Sequence, residues 1–108
     1  MVNLEALNNK AAIIAQDGQY LGTISDNRFS DDSIANPYGQ YGSRYSPLSI
    51  FNPYGQYGSE FSPLSPWNSY TTTPPSLKVR GQFVANLTVN PYLSPSVHPN
   101  RLMALVRH

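Results

Sequence analysis

Aromatic side chains recur in this sequence at positions where they could stack on a ligand. Four tyrosines occupy matching places in two near-identical segments, and a tryptophan and another tyrosine follow: Tyr38, Tyr41, Tyr54, Tyr57, Trp67 and Tyr70. A flat apolar face with a polar edge stacks on sugar rings, bases or proline-rich peptides. The candidate binding residues are Tyr38, Tyr54, Trp67 and Tyr70. Tyr38 and Tyr54 lie in the middle of predicted turns, and we therefore expect them to be exposed.

The alternative is that the tyrosines form a core. The segment 34–65 has few aliphatic side chains, and its large aromatic side chains favour burial. Tyr41 and Tyr57 are followed directly by glycine, which allows close packing. The sequence therefore predicts structural roles for Tyr41 and Tyr57, with hydroxyl groups hydrogen-bonded to the backbone.

Other groups that could do chemistry are few. Asp26, Asp31 and Asp32 could ligate calcium, but their spacing fits no EF-hand loop, and turn formation explains them better. His98 and His108 are accompanied by no nucleophile motif or metal-ligand pattern, and cysteine is absent. The sequence predicts a protein that is not an enzyme and has no metal or cofactor.

Charge is scarce, and its distribution argues against two classes of partner. Between Ser33 and Leu77 the only charged side chains are Arg44 and Glu60, and basic residues elsewhere are scattered, so no nucleic-acid surface is expected. No apolar run is longer than Ala11 to Ala15, which is too short to span a bilayer. No signal peptide precedes it, which predicts a cytoplasmic location by default, or a secreted or periplasmic one if a signal has been removed.

A 16-residue unit occurs twice, at 34–49 and 50–65, and the copies are identical at 13 of 16 positions. Each copy contains Asn-Pro-Tyr-Gly and Ser-Pro-Leu-Ser, which predict turns joined by short extended pieces. Phe29, Tyr45 and Phe61 follow the same period. The tyrosine, glycine and glutamine content is also typical of disordered self-associating segments, but exact periodicity favours a folded unit.

Two β-hairpins are predicted on either side of the repeats. Asp17-Gly18 has the residue types of a type I′ turn. Residues 81–88 are similar to residues 18–25, and the equivalent turn there is Arg80-Gly81. Alternation predicts the core residues Tyr20, Gly22, Ile24, Phe83, Ala85, Leu87 and Val89. A short helix is predicted at the C-terminus, with Leu102, Leu105 and Val106 on one face.

The predicted fold class is mostly β, a single domain in which two related hairpins form one small sheet, proline- and glycine-cornered repeats lie between them and a short helix follows. The expected parts are an N-terminal segment (1–10), hairpin unit 1 (11–33), the 16-residue repeat region (34–73), hairpin unit 2 (74–97) and the C-terminal helix (98–108).

The unit Ser-x-x-Ser-Ile-x-Asn-Pro-Tyr-Gly-x-Tyr-Gly-Ser at 46–59 resembles repeats in a set of small bacterial proteins, which place them after a Gly-x-Tyr-Leu-Gly hairpin. The resemblance covers about residues 17–70. It implies a bacterial origin and a shared fold, and it implies no activity.

These observations predict a non-enzymatic interaction or assembly module that binds a protein partner or itself, most simply as a homodimer. The alternative is a carbohydrate-binding module that uses the exposed tyrosine and tryptophan faces. A contiguous apolar patch would favour the first function. A few coplanar exposed rings beside Asn and Gln would favour the second.

Overall fold

A five-stranded mixed β-sheet is the centre of the protein. The computed structural model describes residues 4–106, with side chains from residue 6 to residue 104. The elements are α1 (Leu4–Leu7), β1 (Ala11–Ile14), β2 (Tyr20–Thr23), β3 (Ser76–Val79), β4 (Gln82–Leu87), β5 (Ser96–Val97), a 3₁₀ helix (Pro99–Leu102) and α2 (Met103–Val106). The strand order in the sheet is β2-β1-β3-β4-β5. The prediction of a small β-rich fold is confirmed at this level.

The first strands of the two hairpins join the hairpins into one sheet. β1 and β3 are antiparallel, with Ala11 opposite Val79 and Ile14 opposite Ser76. β5 lies parallel to β4 at one edge. The predicted placement of both hairpins in a single sheet is therefore confirmed, although the sequence had not indicated the short parallel strand.

One of the two hairpin turns differs from the prediction. Arg80 and Gly81 both have positive φ, of 55° and 80°, as a two-residue type I′ turn requires. Asp17 does not have positive φ, and Gly18 alone does, at 90°. The N–H of Gly18 bonds to the carbonyl of Ala15, and the N–H of Ala15 bonds to the carbonyl of Gln19. The type I′ prediction for Asp17-Gly18 was wrong, because this loop has an additional residue and its glycine supplies the left-handed position.

The extra loop residue changes the offset between the hairpins. Ala12 opposes Thr23 in the first hairpin, and Ser76 opposes Asn86 in the second. Along the chain, Ala12 and Ser76 are therefore one residue further apart than Thr23 and Asn86. The second strand of each hairpin also contains a bulge. The bulge of the first hairpin includes Gly22, which has a φ of 110°. The second bulge lies at Val84, between the partners of Leu77 and Lys78.

These bulges explain which predicted core residues were wrong. Simple alternation placed Tyr20 and Phe83 inside, but Tyr20 is half-buried and Phe83 is exposed. A bulge inserts one residue and reverses the faces of the residues on one side of it. Gly22, Ile24, Ala85 and Leu87, which follow the bulges or lie within them, are buried as predicted, and Val89 is half-buried.

The repeat region is a continuous series of β-turns. Backbone N–H groups bond to the carbonyl three residues earlier without interruption from Ser30 to Ser65. Successive turns begin three residues apart, except at one four-residue step in each copy of the repeat. These steps are Gly39–Ser43 and Gly55–Ser59. Four steps of three residues and one of four give the period of the repeat. The extended pieces predicted between the turns do not occur, since residues 34–73 contain no strand.

The first residue of almost every turn is Ser or Asn, and its side chain stabilises that turn. Asn52 Oδ1 accepts a hydrogen bond from the N–H of Tyr54 at 3.0 Å, and Ser49 Oγ accepts one from Phe51 at 3.0 Å. Such bonds satisfy backbone donors that a sheet or helix would otherwise satisfy. The turn series therefore needs no neighbouring strand.

Asparagine also ties successive turns together. Asn36, Asn52 and Asn68, which occupy equivalent places in successive repeats, each donate from Nδ2 to the carbonyl of a preceding serine at 3.0–3.2 Å. The acceptors are Ser30, Ser46 and Ser62, respectively. At the four-residue step, Gly58 packs on Asn52, and a Cβ at Gly58 would lie 2.1 Å from the Asn52 carbonyl oxygen. Only glycine fits there.

The turn series covers the sheet. Ile34, Ile50 and Tyr57 belong to the same buried cluster as the strand residues Ile13 and Leu77. Beyond β5, His98 caps the 3₁₀ helix, accepting the Asn100 N–H at Nδ1.

The C-terminal helix is only partly as predicted. It begins as the 3₁₀ helix at Pro99, and Leu102 is fully buried. The predicted face residues Leu105 and Val106 lie outside the described side chains. No helix among residues 4–106 is long and apolar enough to cross a membrane.

Candidate functional site

Six aromatic rings project into solvent from the turn series and from the turns on either side of it. They fall into two sets in which successive rings are one repeat period apart, and each ring is between 83% and 95% exposed. The first set, named series A, is Phe29, Tyr45 and Phe61. The second set, named series B, is Tyr38, Tyr54 and Tyr70. The equal spacing means that each repeat presents one ring of each series from an equivalent turn.

The turns determine where these rings stand. Tyr54 is the third residue of a turn whose first residue, Asn52, bonds its N–H, and Phe61 is placed in the same way by Ser59 at 3.1 Å. Pro53 in the second position fixes φ there. The side-chain hydrogen bonds restrain the backbone beneath these two rings, so a ligand that binds the rings meets a prearranged surface.

A groove of about 1140 Å³ lies between rings of the two series. Its lining includes Tyr45, Tyr54 and Phe61, together with the half-buried Phe51 and Trp67. Groove residues therefore come from both copies of the repeat and from the segment that follows. The C-terminal helical segment also contributes to the lining through Asn100 and Met103.

Trp67 is held in the groove lining by hydrogen bonds. Its indole Nε1 donates to the carbonyl of Ile50 at 2.7 Å, and its backbone N–H bonds to Ser65 Oγ at 3.1 Å. Trp67 and Phe51 are one repeat period apart and occupy equivalent turns. The equivalent position in the first repeat is Ala35, which is buried, so that repeat has no aromatic ring there.

A smaller recess of about 400 Å³ continues past Phe61. Its lining is Glu60, Phe61, Trp67, Asn68, Ser69 and Tyr70. Three aromatic rings and several polar groups thus meet in a space the size of a small ligand.

The groove lining also contains the only charges of the repeat region. Arg44 and Glu60 occupy equivalent positions in the two copies, both are exposed and both line the groove. Within the described chain, neither side chain forms an ion pair with the other or with a third residue. The groove therefore carries one free positive and one free negative charge.

The other tyrosines of the repeats point inward. Tyr57 is only 3% exposed, and its hydroxyl donates to Asp17 Oδ2 at 2.7 Å. Burial, together with this bond, raises the pKa of Tyr57 to about 12. The same bond, with one from the N–H of Gln19, holds the pKa of Asp17 below its ordinary value. Tyr41 is half-buried and meets Tyr20 edge to face, with ring centroids 5.1 Å apart.

The structure brings together three of the four candidate binding residues. Tyr54 and Trp67 line the groove, and Trp67 and Tyr70 line the recess. Tyr38 is exposed as expected but lines neither space. The expected inward position of Tyr57 is confirmed, although its hydroxyl bonds a carboxylate and not the backbone.

Sequence reasoning missed several groove residues. The sequence marked Tyr45 and Phe61 only as members of a periodic set and Arg44 and Glu60 only as isolated charges, and it did not single out Phe51. The available signal was the three-residue turn frame, which assigns Tyr45 and Phe61 to the same place in their turns as Tyr38 and Tyr54.

Among the described side chains, from residue 6 to residue 104, no group of three or more His, Asp or Glu side chains is placed to hold a metal ion. Comparisons with protein-family models, with curated proteins and with solved structures found no match to this chain.

Proposed function

We propose that this protein is a non-enzymatic interaction module that binds another protein chain through the groove. The observation that carries the proposal is the position of three almost fully exposed rings, Tyr45 and Phe61 of series A and Tyr54 of series B, along one continuous groove. Tyr, Trp, Phe, Met and Arg are the residue types enriched in protein interfaces, whereas other charged residues are depleted there. The groove has this composition, with Glu60 as its only acidic side chain.

The amount of exposed apolar surface supports binding. An aromatic side chain presents roughly 150–250 Å², so Tyr45, Tyr54 and Phe61 alone hold roughly 450–750 Å² in water. The largest apolar patch of an ordinary monomer covers about 300–600 Å² and is often functional. A surface at the top of this range is unfavourable in water, and a partner that covers it relieves the unfavourable contact.

The rigidity of the surface also supports binding. Tyrosines supported by serine, glycine and asparagine form the recognition surfaces of antibodies, because tyrosine offers large contact area with few rotatable bonds. Here the supporting residues are hydrogen-bonded turns, so little conformational entropy is lost when a partner binds.

A photocrosslinking experiment in the native host tests the proposal. Benzoylphenylalanine replaces Phe61 in the groove, and in a matched control it replaces Phe83, which is also exposed but lies on β4 outside the groove. We expect a protein adduct at position 61 that disappears when Tyr54→Ala is added, and none at position 83. Equal adducts at both positions, or none at either, would refute the proposal.

Carbohydrate binding is a second candidate, favoured by the recess that combines Phe61, Trp67 and Tyr70 with Asn68. Sugar rings stack on such aromatic faces while amide groups bind hydroxyls. Retardation in native gels that contain soluble polysaccharides, abolished by Trp67→Ala, would favour this function over protein binding. We expect unchanged migration for both forms.

A further inference from the structure

The two repeat copies differ only where they border the groove or the core beneath it. Of their 16 positions, three are different: Ala35/Phe51, Arg44/Glu60 and Tyr45/Phe61. Five of these six residues line the groove, and the sixth, Ala35, is buried. The residues that form and tie the turns are the same in both copies. The groove is therefore the part of the repeat region in which the two copies have become specialised.

The difference in charge is the most informative of the three. Arg44 and Glu60 stand at the same place in consecutive units, and each is exposed without an ion-pair partner in the described chain. A surface that carries a positive and a negative charge at equivalent places is complementary to a copy of itself after a two-fold rotation. In that arrangement each Arg44 meets the Glu60 of the other copy.

We propose that the groove is occupied by the groove of a second copy of this chain, related by a two-fold axis that passes between the positions of Arg44 and Glu60. This proposal rests on the proposed function and names its partner. A two-fold interface uses the same patch twice, so residue i contacts residue j and residue j contacts residue i. Two reciprocal Arg44–Glu60 pairs satisfy this condition.

The available area suits such a dimer. A standard interface covers about 800 Å² on each partner, and the three principal rings contribute roughly 450–750 Å². Phe51, Trp67 and Met103 add apolar surface within the same groove. The rings would supply the buried area, and the charge pairs would set the orientation.

Other occupants do not require this charge arrangement. A proline-rich peptide or a glycan would bind the rings, but neither explains why the charge reverses between two otherwise matching units. They are alternative outcomes of the following test.

The test uses charge reversal and mixing, measured by sedimentation velocity at micromolar concentration. Arg44→Glu places two acidic groups opposite each other in both reciprocal pairs, and Glu60→Arg places two basic groups there. We expect wild type to sediment as a dimer of the 12.0 kDa chain. Each variant should dimerise roughly 100-fold more weakly, at about tenfold for each close charge pair.

Mixing the two variants gives the decisive result. A heterodimer of R44E with E60R has a Glu–Arg pair at both reciprocal contacts, so the equimolar mixture should recover dimer formation, as should the double variant R44E/E60R. Arg28→Glu is the matched control, because Arg28 lies one repeat period before Arg44, is exposed and does not line the groove. We expect it to dimerise as wild type does.

Two results would overturn the proposal: a wild-type chain that stays monomeric, or single variants that lose the dimer while the double variant does not recover it. A monomeric wild type that still gives groove-specific crosslinks to another protein would remove the second copy as occupant and leave the proposed function standing. A monomer without such crosslinks would refute both.

Discussion

Tyr54 and Tyr57 belong to the same repeat, lie three residues apart and have opposite environments. Tyr54 is 95% exposed beside the groove, whereas Tyr57 is 3% exposed and bonded to Asp17 under the turn series. The same type of side chain is therefore exposed to solvent on one face and packed against the core on the other. The difference arises from the backbone, since Tyr57 lies in the four-residue step of the turn series and Tyr54 in a three-residue step.

The comparison extends to the whole repeat region. Its inner face consists of the turn-forming serines, asparagines and glycines with Ile34, Ile50 and Tyr57, and it contacts the sheet. Its outer face consists of the exposed ring series and the two charges. If this division is correct, substitutions inside should change the free energy of unfolding, and substitutions outside should change binding alone.

The largest effect on stability is expected at the four-residue step. Gly58→Ala would place Cβ 2.1 Å from a backbone oxygen of Asn52, so the backbone must move. We expect a loss of more than about 4 kcal/mol or failure to fold, the range of the most severe substitutions. Gly55→Ala is the control, because its nearest contact would be a side-chain amide at 3.2 Å. Urea denaturation compares the two, and equal losses would contradict the close packing at Gly58.

Removal of the inner tyrosine is expected to have the next largest effect on stability. Tyr57→Ala leaves a cavity in the core cluster and should destabilise by about 3 kcal/mol, as truncation of buried aromatic residues does. The measurement is the midpoint of thermal or urea unfolding. A loss below about 1 kcal/mol, the typical effect of an average substitution, would show that the turn series is not packed on the sheet through this ring.

Asn52 tests how the turns are held together. Asn52→Ala removes the bond to the Ser46 carbonyl and the acceptor for the N–H of Tyr54. We expect a loss of about 2 kcal/mol, since buried groups lose their partners. Gln56→Ala, an exposed position of the same repeat, should stay within about 0.5 kcal/mol. Similar values for both variants in urea denaturation would argue against the asparagine ties.

The raised pKa of Tyr57 predicts a loss of stability in alkaline solution. Because its pKa is raised to about 12 in the fold, it contributes stability fully below its ordinary pKa of about 10 and loses it as the pH rises toward 12. The stability of wild type relative to Tyr57→Phe should fall as the pH rises from 10 towards 12. Urea denaturation at pH 8, 10 and 11 measures this. A constant difference would indicate an unperturbed hydroxyl.

Much of the sheet was predictable from local residue patterns, but its details were not. Alternating side chains and Gly18 and Gly81 identified the hairpins. The turn type depended on loop length, which the residue pair Asp17-Gly18 does not encode. The bulges, which exposed Phe83, depended on strand pairing across the sheet, and no local pattern contains that information.

The residue types of the candidate site could be predicted from the sequence, but the way in which these residues come together could not. Asn-Pro-Tyr-Gly marked the turns that expose Tyr38 and Tyr54. The groove itself requires Tyr45 and Phe61 beside Trp67, and that proximity follows from the continuous turn geometry. The sequence predicted turns joined by short extended pieces, whereas serine side chains that accept backbone N–H groups make the turns continuous.

The most direct test of the division between the two faces is Tyr54→Ala, measured for both stability and association. The side chain is almost fully exposed, so its removal should leave the free energy of unfolding within about 0.5 kcal/mol of wild type. The same variant should lose the dimer in sedimentation velocity, because a groove ring is absent. A destabilisation close to that of Tyr57→Ala, or a dimer that persists unchanged, would contradict the account.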